Sequence, residues 1–239
     1  MVPGELAKLY YTPLGAPCRA VLLAARALKI NLNLSPLDMH HKKEHLEEWY
    51  AKINPQRITP TLVDSKYVLW ESRAINKYLA LKQRDTEHRD ISHQLWPSDL
   101  RQQSRVDRLL YFDMGTLYQS MTEYFKPMLT SAKNPEQDKI LALENSLRLL
   151  NLFLQDSKYA AGDHLTLADI SLVTSISQLE PYGYKMDASK YNEVESWRER
   201  VVSAMPFYEE VSRDALRASA AWAAYKLKLI EKKKNPTDS

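Results

Sequence analysis

The chain is poor in cysteine and in long apolar runs. Cys18 is the single cysteine among 239 residues, so an internal disulfide is impossible and a reducing compartment, the cytoplasm, is expected. No stretch approaches the roughly 18 apolar residues of a membrane helix. The first residues also lack the basic and apolar segments of a secretory leader, so neither secretion nor a membrane location is predicted.

Net charge is also scarce. The formal charge is +3 at pH 7, and part of the surplus comes from lysines near the C-terminus: Lys226, Lys228, Lys232, Lys233 and Lys234. No basic stripe alternates with aromatic residues, so nucleic-acid binding is not predicted. The content of 44% hydrophobic and 26% charged residues indicates a globular protein of one large or two modest domains.

The first third of the chain predicts a small α/β domain. Alternating and turn-forming residues predict four strands: 6–11, 31–37, Thr61–Asp64 and Tyr67–Trp70. Helical patterns predict three helices: 17–29, 42–52 and 71–81. The β-α-β start requires a parallel strand pair joined by a right-handed crossover.

A polar segment divides the chain. Residues 84–97 predict a linker between one domain at 1–83 and a second domain at 98–239. Apolar residues beyond the linker recur at helical spacing without strand alternation, so the second domain is predicted to be all-α.

Three features of the second domain are specific enough to predict. Thr166 is a suitable N-cap, and Asp169 stands where the reciprocal partner of a capping box is expected. Further helices are expected at 191–204 and at about 207–231. Fraying is expected from Lys232 to Ser239.

The pair Thr59-Pro60 is the first candidate binding element. A cis bond before Pro60 would leave the Thr59 N–H and C=O unpaired, so that an extended peptide could add to them as a strand. The alternative is an ordinary turn proline before an edge strand. Because cis bonds are only about 5% of X–Pro bonds in folded proteins, residue reasoning alone slightly favours the turn.

Glu71-Ser72 opens a helix directly after a strand and is the second candidate. The helix N-terminus and the Ser72 hydroxyl suit a carboxylate, and Glu71 suits an ammonium group, so together they suit an α-amino acid. Arg57 offers a cation for a second carboxylate. The alternatives are simple capping for Ser72 and a solvated loop arginine for Arg57.

Three other patterns carry less weight. His41 and His45 have the spacing of a zinc-binding pair, but neighbouring lysines and the lack of a third ligand favour an exposed helix, and no metal is predicted. Cys18 is expected to be a packed structural thiol. An aromatic and methionine stripe forms either core or the wall of an apolar pocket: Tyr111, Phe112, Met114, Tyr118, Met121 and Tyr124.

Taken together, several motifs resemble the cytosolic glutathione transferases, most of all the insect delta and epsilon classes. They are Ala16-Pro17-Cys18-Arg19, Asn54-Pro55-Gln56, Pro60-Thr61-Leu62-Val63-Asp64, Glu71-Ser72-Arg73-Ala74-Ile75, the run 111–118 and the run 161–169. The resemblance covers nearly the whole chain. It implies a thioredoxin-like N-terminal domain, an all-α C-terminal domain, a homodimer and glutathione as co-substrate.

The resemblance also implies roles for individual residues. Pro60 would be cis, Thr59 would pair with the cysteinyl backbone of glutathione, and Glu71 and Ser72 would hold its γ-glutamyl end. The implied glutathione-binding set is Gln56, Arg57, Ile58, Thr59, Pro60, Glu71, Ser72 and Arg73. The implied site for the apolar second substrate is Thr12, Ala16, Pro17, Leu37, Tyr111, Met114, Tyr118, Met121, Phe207 and Trp222. Thr166 and Asp169 would determine the fold.

Two positions depart from the family pattern. Delta and epsilon members have a histidine where this chain has Arg57, and a serine where it has Gly15. That serine hydroxyl stabilises the glutathione thiolate, and its loss is expected to lower the thiolate fraction roughly tenfold to a hundredfold. Candidate substitutes are Tyr11, the helix N-terminus near Ala16, a backbone N–H of the Gly15 turn, or a water.

Two functions follow from the resemblance. One is a glutathione transferase that conjugates the thiol to hydrophobic electrophiles, as in detoxification of xenobiotics, with activity reduced by Gly15. The other is a carrier of hydrophobic ligands that binds glutathione and conjugates it weakly or not at all. The intact Glu71-Ser72 pair fits both functions, and Gly15 favours the carrier.

Overall fold

The computed structural model describes the backbone of residues 6–234 and the side-chain surroundings of residues 6–232. Four short strands form one sheet: β1 (Lys8–Tyr11), β2 (Asn33–Pro36), β3 (Thr61–Asp64) and β4 (Tyr67–Trp70). Their order is β2-β1-β3-β4, with β1 parallel to β2 and antiparallel to β3, and β3 antiparallel to β4. The predicted parallel pair and the predicted hairpin are both confirmed.

The helices described are α1 (Ala16–Ala27), α2 (Glu48–Ala51), α3 (Ser72–Lys82), α4 (Arg89–Leu95), α5 (Leu100–Phe112), α6 (Tyr118–Ser131), α7 (Gln137–Phe153), α8 (Leu167–Ile176), α9 (Asn192–Ser203) and α10 (Tyr208–Lys234). Short 3₁₀ turns occur at Glu44–Leu46 and Glu180–Tyr182. None of these helices combines the length and the apolar character needed to span a bilayer. The sheet with its helices, followed by an all-helical half, confirms the predicted fold class.

The helix predicted at 42–52 is wrong as a single element. Lys43 has a left-handed backbone with φ 56°, and Glu47 is extended with φ −71° and ψ 150°. Lys43 interrupts the chain before a 3₁₀ turn at Glu44–Leu46, and Glu47 separates that turn from the short helix α2, so His41 and His45 do not share a helical face. The charged side chains of this segment are compatible with a helix, but only its C-terminal part packs inward, where Tyr50 is buried and contacts Tyr10.

The segment predicted as a linker contains structure. Helix α4 lies within residues 84–97, and Leu95 and Trp96 at its end are buried. Ser92 Oγ donates to the carbonyl of Ala80, which ties α4 to α3. The polar composition reflects only the exposed side of this helix. The boundaries of the two domains stay a prediction.

Two features organise the helical half: the long continuous segment formed by α5, a π-helical turn and α6, and the buried helix α8. Between α5 and α6 the chain continues as a π-helical turn at Asp113–Leu117, which inserts one extra residue into the helix. Helix α8 is buried along its whole length. The Asp169 carboxylate accepts hydrogen bonds from the Thr166 N–H at 2.8 Å and from Trp197 Nε1 at 2.8 Å, which confirms the predicted capping box.

Helix α1 joins the two halves of the molecule. It packs against α3 on the sheet side and against α8 and α10 on the helical side, within one continuous apolar core. Helix α10 extends to Lys234, so the prediction that the chain frays from Lys232 is wrong for residues 232–234. Residues 235–239 lie outside the described part of the chain. The fold therefore places the start of α1 at the junction between sheet and helices.

Candidate active site

One end of the sheet collects the candidate binding elements. Thr61 at the start of β3 pairs with Tyr10 of β1 on one side and with Trp70 of β4 on the other. Continuing each strand by one or two residues brings Thr12, the Thr59-Pro60 pair and Glu71 to the same edge. The starts of α1 and α3 lie at that edge as well, because α3 begins two residues after the end of β4 and α1 begins after the four-residue turn that follows β1.

Buried side chains hold the loop before β3 in place through hydrogen bonds. Tyr50 Oη and Asn54 Nδ2 both donate to the Ile58 carbonyl, the latter at 3.0 Å, and both contact Thr61 Oγ1 at 2.8 Å. The Thr59-Pro60 bond is cis, as the resemblance implies and against the turn reading. Within residues 6–232 the Thr59 N–H and C=O have no hydrogen-bond partner.

Glu71 holds an unusual backbone conformation at the start of α3. Its φ is 70° and its ψ is 107°, a region that side-chain-bearing residues rarely occupy. Its carboxylate is exposed and makes no hydrogen bond or ion pair with any described residue. The N–H groups of Ser72, Arg73 and Ala74 likewise find no acceptor there, and Ser72 is buried. This corner offers a carboxylate beside free amide donors.

The two arginines of the predicted glutathione set are already engaged. Arg57 donates from Nη1 to the Leu46 carbonyl at 2.6 Å, and its Nη2 lies 3.7 Å from Glu48 Oε1. Arg73 pairs with the fully buried Asp113 of the π turn, to which Ser171 Oγ also donates. Arg73 thus ties α3 to the helical half rather than pointing into the corner. Of the other predicted members, Gln56 and Ile58 are exposed.

The turn at Gly15 offers a main-chain donor but no hydroxyl. The Gly15 N–H donates to the Thr12 carbonyl at 3.2 Å, so it is not available to a ligand. The following Ala16 N–H has no acceptor among the described residues. Pro17 has no N–H, and the amides of Cys18 and Arg19 both donate to the Gly15 carbonyl at 3.0 Å. Ala16 therefore carries the available amide at the first turn of α1.

Cys18 is not a reactive group in this site. Its side chain is buried, with 1% of its surface exposed, and the Thr12 N–H donates to its sulfur at 3.4 Å. Burial raises the pKa of the Cys18 thiol to about 11, because the thiolate would lose its hydration there. This placement agrees with the prediction of a packed structural thiol.

Tyr11 does not share a cavity with Gly15. Strand alternation turns Tyr10 toward the rings of Trp49 and Tyr50 and turns Tyr11 the other way. Tyr11 lines a separate cavity of about 490 Å³ between α1, β2 and α10. Burial raises the pKa of its phenol, so it stays neutral, and its role as the substitute thiolate donor stays a prediction.

An apolar cavity adjoins the Gly15 turn. Its volume is about 320 Å³, and it lies between the start of α1, α6 and the second half of α10. Its lining consists of Leu14, Gly15, Ala16, Tyr118, Met121, Thr122, Phe125, Lys126, Leu129, Thr130, Gln178, Tyr182 and Trp222. Burial raises the pKa of Tyr118 to about 12, so the phenol at this wall stays a neutral hydrogen-bond donor.

The cavity contains some of the residues predicted for the apolar site. Ala16, Tyr118, Met121 and Trp222 line it, whereas Thr12, Pro17 and Leu37 lie outside its lining. Tyr111 and Met114 point outward, with 63% and 43% of their surfaces exposed.

Phe207 also lies outside the lining of this cavity. It lines a different cavity near α4, together with Pro206 and Met205. It precedes α10, and the helix rises roughly 21 Å over the 14 steps from Tyr208 to Trp222, so Phe207 lies far along the helix from the Trp222 that lines the cavity.

Two lining or supporting residues were missed by sequence reasoning. Gln178 is a buried member of the lining, and its side chain accepts a hydrogen bond from Arg19 Nη1 at 2.9 Å. Arg19 is 1% exposed, and its other bonds are to neutral groups, including the Thr174 carbonyl at 3.1 Å and Ser177 Oγ at 3.0 Å. Nothing in the local sequence marks a polar pair that forms across two domains.

No metal site is found in the part of the chain that the structure describes. Within it, no three histidine, cysteine or acidic side chains come together as a metal ion would require. His40 stacks near Trp222 with 4.7 Å between ring centroids, and His41 lies 6.2 Å from the ring of Tyr225. These histidines therefore contact α10.

Comparison with known proteins agrees with this geometry. Residues 8–81 match the glutathione S-transferase N-terminal domain family, and residues 117–204 match the glutathione S-transferase C-terminal domain family. A delta-class glutathione transferase of Nilaparvata lugens is 38% identical, with a TM-score of 0.84 over 92% of this chain and 99% of that one. An epsilon-class enzyme of the housefly Musca domestica is 33% identical, with a TM-score of 0.83 over 92% and 98%.

A third similar structure contains glutathione. It is a glutathione transferase homologue of Drosophila mojavensis with bound glutathione, 29% identical, with a TM-score of 0.82 over 92% of this chain and 97% of that one. The two family matches and the extent of these similarities lead to one conclusion: the chain belongs to the glutathione transferase family, and its structural relatives include insect delta- and epsilon-class members.

Proposed function

We propose that this protein conjugates the thiol of glutathione to hydrophobic electrophiles, as in the detoxification of xenobiotics. The observation that carries the proposal is the meeting of two sites at the start of α1. A corner with unpaired peptide-binding groups lies at the same sheet end as the Gly15 turn, and that turn borders an apolar cavity. A peptide thiol and an apolar reactant can therefore meet there.

Glutathione is held at its two polar ends in this proposal. The exposed Glu71 carboxylate binds the ammonium group of the γ-glutamyl residue, and the free amides at the start of α3 bind its carboxylate. The unpaired Thr59 N–H and C=O pair with the cysteinyl backbone as an added strand. Arg57 retains donors for the glycine carboxylate, although two of its nitrogens already contact Leu46 and Glu48.

The chemical step needs a thiolate, and the start of α1 supplies its stabilisation. The Ala16 N–H and the helix dipole both favour a negative sulfur at this position. The thiol releases its proton to solvent, the sulfur forms a bond to the electrophilic carbon, and the leaving group or π-electron pair departs from that carbon. The neutral Tyr118 phenol adds a donor at the cavity wall. Without a hydroxyl at Gly15, the thiolate is stabilised less than in serine-bearing members.

A carrier function is the second candidate, and a specific observation favours it. The Gly15 amide is used by Thr12, so the turn provides neither a hydroxyl nor its own N–H to the thiol. A protein with this turn still binds glutathione through Glu71 and Thr59. It then holds apolar ligands in the cavity with little conjugation.

We also propose a cytoplasmic homodimer. On α5 and the π turn, Ser104, Arg108, Tyr111 and Gly115 recur at helical spacing and are all exposed, with Tyr111 at 63%. Such a stripe, with an exposed aromatic at its centre, suits a symmetric contact with a second copy. The single cysteine, buried and unpaired, suits a reducing compartment.

Calorimetric titration with glutathione, combined with turnover of a chromogenic aryl halide, tests the proposal. Wild-type protein is expected to bind glutathione and turn over the halide, and Glu71→Gln is expected to weaken binding at least tenfold through the loss of one charge-assisted contact. Binding without turnover would support the carrier. Absence of binding in the wild type would overturn both functions.

A further inference from the structure

Two histidines of the loop after β2 contact aromatic residues of α10. The centroid of the His40 ring lies 4.7 Å from that of Trp222, and the centroid of the His41 ring lies 6.2 Å from that of Tyr225. Trp222 lines the apolar cavity beside the Gly15 turn, whereas the other three residues lie outside its lining. The two adjacent pairs therefore differ in one respect, because only the His40 pair includes a wall of the cavity.

The backbone of this loop is held without the imidazole rings. The Asp38 carboxylate accepts hydrogen bonds from the N–H of His40 at 3.0 Å and from the N–H of His41 at 2.8 Å. The Asp38 N–H in turn donates to the Glu44 carboxylate at 2.7 Å. Because none of these bonds uses a histidine side chain, replacing either ring should leave the turn in place.

The backbone of α10 beside Trp222 is also fixed without His40. The helix packs against α6 and against the 3₁₀ turn at Glu180–Tyr182. Ser219 and Ala223, on either side of Trp222 in sequence, are buried, and Ser219 Oγ donates to a carbonyl one turn earlier in the helix at 2.8 Å. Loss of the His40 ring should therefore change the side chain of Trp222 and not the course of the helix.

The Trp222 ring depends more on its neighbours, because it is only half-buried. Its centroid lies 6.2 Å from that of Tyr182 and 6.0 Å from Lys226 Nζ, so His40 at 4.7 Å is the closer neighbour. Burial lowers the pKa of His40, so its ring contacts Trp222 as a neutral aromatic group at pH 7. An aromatic pair stabilises its own geometry beyond simple area burial, so His40 favours this placement of the indole.

We propose that His40 is a positioning residue that holds the Trp222 ring in the cavity wall and so limits the size of the apolar group that the cavity accepts. This inference rests on the proposed function, since it concerns the electrophile site. The cavity volume of about 320 Å³ is near the lower limit of roughly 300 Å³ for ligand sites. A larger group must move the Trp222 ring and break its contact with His40, so electrophiles with one ring are favoured over those with two.

The test compares benzyl chloride with 4-phenylbenzyl chloride on the full-length protein with glutathione. In both reactions the thiolate sulfur bonds to the CH₂ carbon while chloride leaves with the electron pair, so the compounds differ only in the second ring. His40→Ala is expected to raise the ratio of kcat/KM for the larger over the smaller compound by about twofold to tenfold, the range that one aromatic pair can supply. A gain on the larger compound is a result that mere destabilisation of the fold would not produce.

Three further variants separate the ring contact from other effects. His40→Phe retains an aromatic ring and is expected to keep the wild-type ratio. His41→Ala is the matched control, because it removes a ring from the same turn whose partner lies outside the cavity lining, and it should leave the ratio unchanged. The double variant His40→Ala/Trp222→Ala should have the ratio of Trp222→Ala alone, since His40 acts through the indole.

Acrylamide quenching of fluorescence tests the positioning of Trp222 without glutathione. The signal of Trp222 is the difference between each protein and the same protein carrying Trp222→Phe. His40→Ala is expected to make Trp222 more accessible to acrylamide, and His40→Phe and His41→Ala are expected to leave its accessibility unchanged.

Several results would overturn the inference. They are an unchanged ratio in His40→Ala, an equal rise in His41→Ala, and equal quenching of Trp222 in wild type and His40→Ala. If wild-type protein turns over neither halide, it is the proposed function that fails, and the quenching alone then decides whether His40 positions Trp222.

Discussion

Adding a hydroxyl at position 15 should increase thiolate formation, and the structure allows the size of the effect to be worked out. Gly15 has φ −79° and ψ 120°, a conformation open to any residue. A Cβ there would lie 3.2 Å from Thr12 Cγ2 and 3.4 Å from Cys18 Sγ. The Thr12 methyl must therefore yield by a few tenths of an ångström, which a side-chain rotation supplies, so Gly15→Ser is expected to fold.

The gain follows from one charge-assisted hydrogen bond. Such a bond contributes about 1.5 to 3 kcal/mol, and each pKa unit corresponds to about 1.4 kcal/mol, so the pKa of bound glutathione should fall by about one to two units. Below that pKa, kcat/KM should rise about tenfold to a hundredfold. The measurement is thiolate absorbance in the ultraviolet as a function of pH, alongside kcat/KM over the same range.

Gly15→Ala is the matched control, since it adds the same Cβ without the hydroxyl. It is expected to leave the thiol pKa unchanged and to cost only the adjustment of Thr12. Equal pKa values in the serine and alanine variants would refute the reasoning. A wild-type value already as low as that of the serine variant would show that the Ala16 amide and the α1 dipole replace the hydroxyl fully.

Three further predictions concern stability. Glu71→Gly should raise the free energy of unfolding by about 1 kcal/mol, because glycine adopts the positive φ without strain, and it should abolish glutathione binding in calorimetry. The control is Ser65→Gly, at φ 57° in the hairpin turn, which should also stabilise the protein but leave glutathione binding unchanged. The Cys18 pKa of about 11 exceeds its ordinary value, so the stability from the neutral thiol is complete below pH 9 and lost as pH rises toward 11. Between pH 9 and pH 11, wild type should therefore lose about 2 kcal/mol more stability than Cys18→Ala when both are unfolded by denaturant. Asp169→Asn should cost at least about 2 kcal/mol in urea denaturation, since buried donors lose their acceptor, whereas exposed Asp163→Asn should have little effect; equal costs would contradict the role of the capping network.

Local signals in the sequence were enough for the sheet and the capping box. The hairpin strands are bounded by a two-residue turn, and Thr166 and Asp169 interact across only three residues, so neighbouring residues determine these structures. The cis bond at Pro60 needed the family resemblance, because a proline alone is more often trans.

Features that depend on distant contacts could not be predicted in the same way. Helix α4 looks polar in sequence because only one side of it is buried, and that side is defined by α3. Gln178 and Arg19 are 159 residues apart, so their bond leaves no local pattern to read.

The π turn at Asp113–Leu117 lets α5 and α6, which form one continuous helical segment, present different faces before and after the turn. Each residue turns an α-helix by about 100°, so the one extra residue rotates everything after it relative to everything before it. The part before the turn presents Tyr111 outward, and the part after it presents Met121 and Phe125 to the cavity. Removing one residue from the turn would rotate the cavity wall while leaving the first part of the segment in place. Relatives that gain or lose a residue here would therefore acquire a differently lined cavity in a single mutational event.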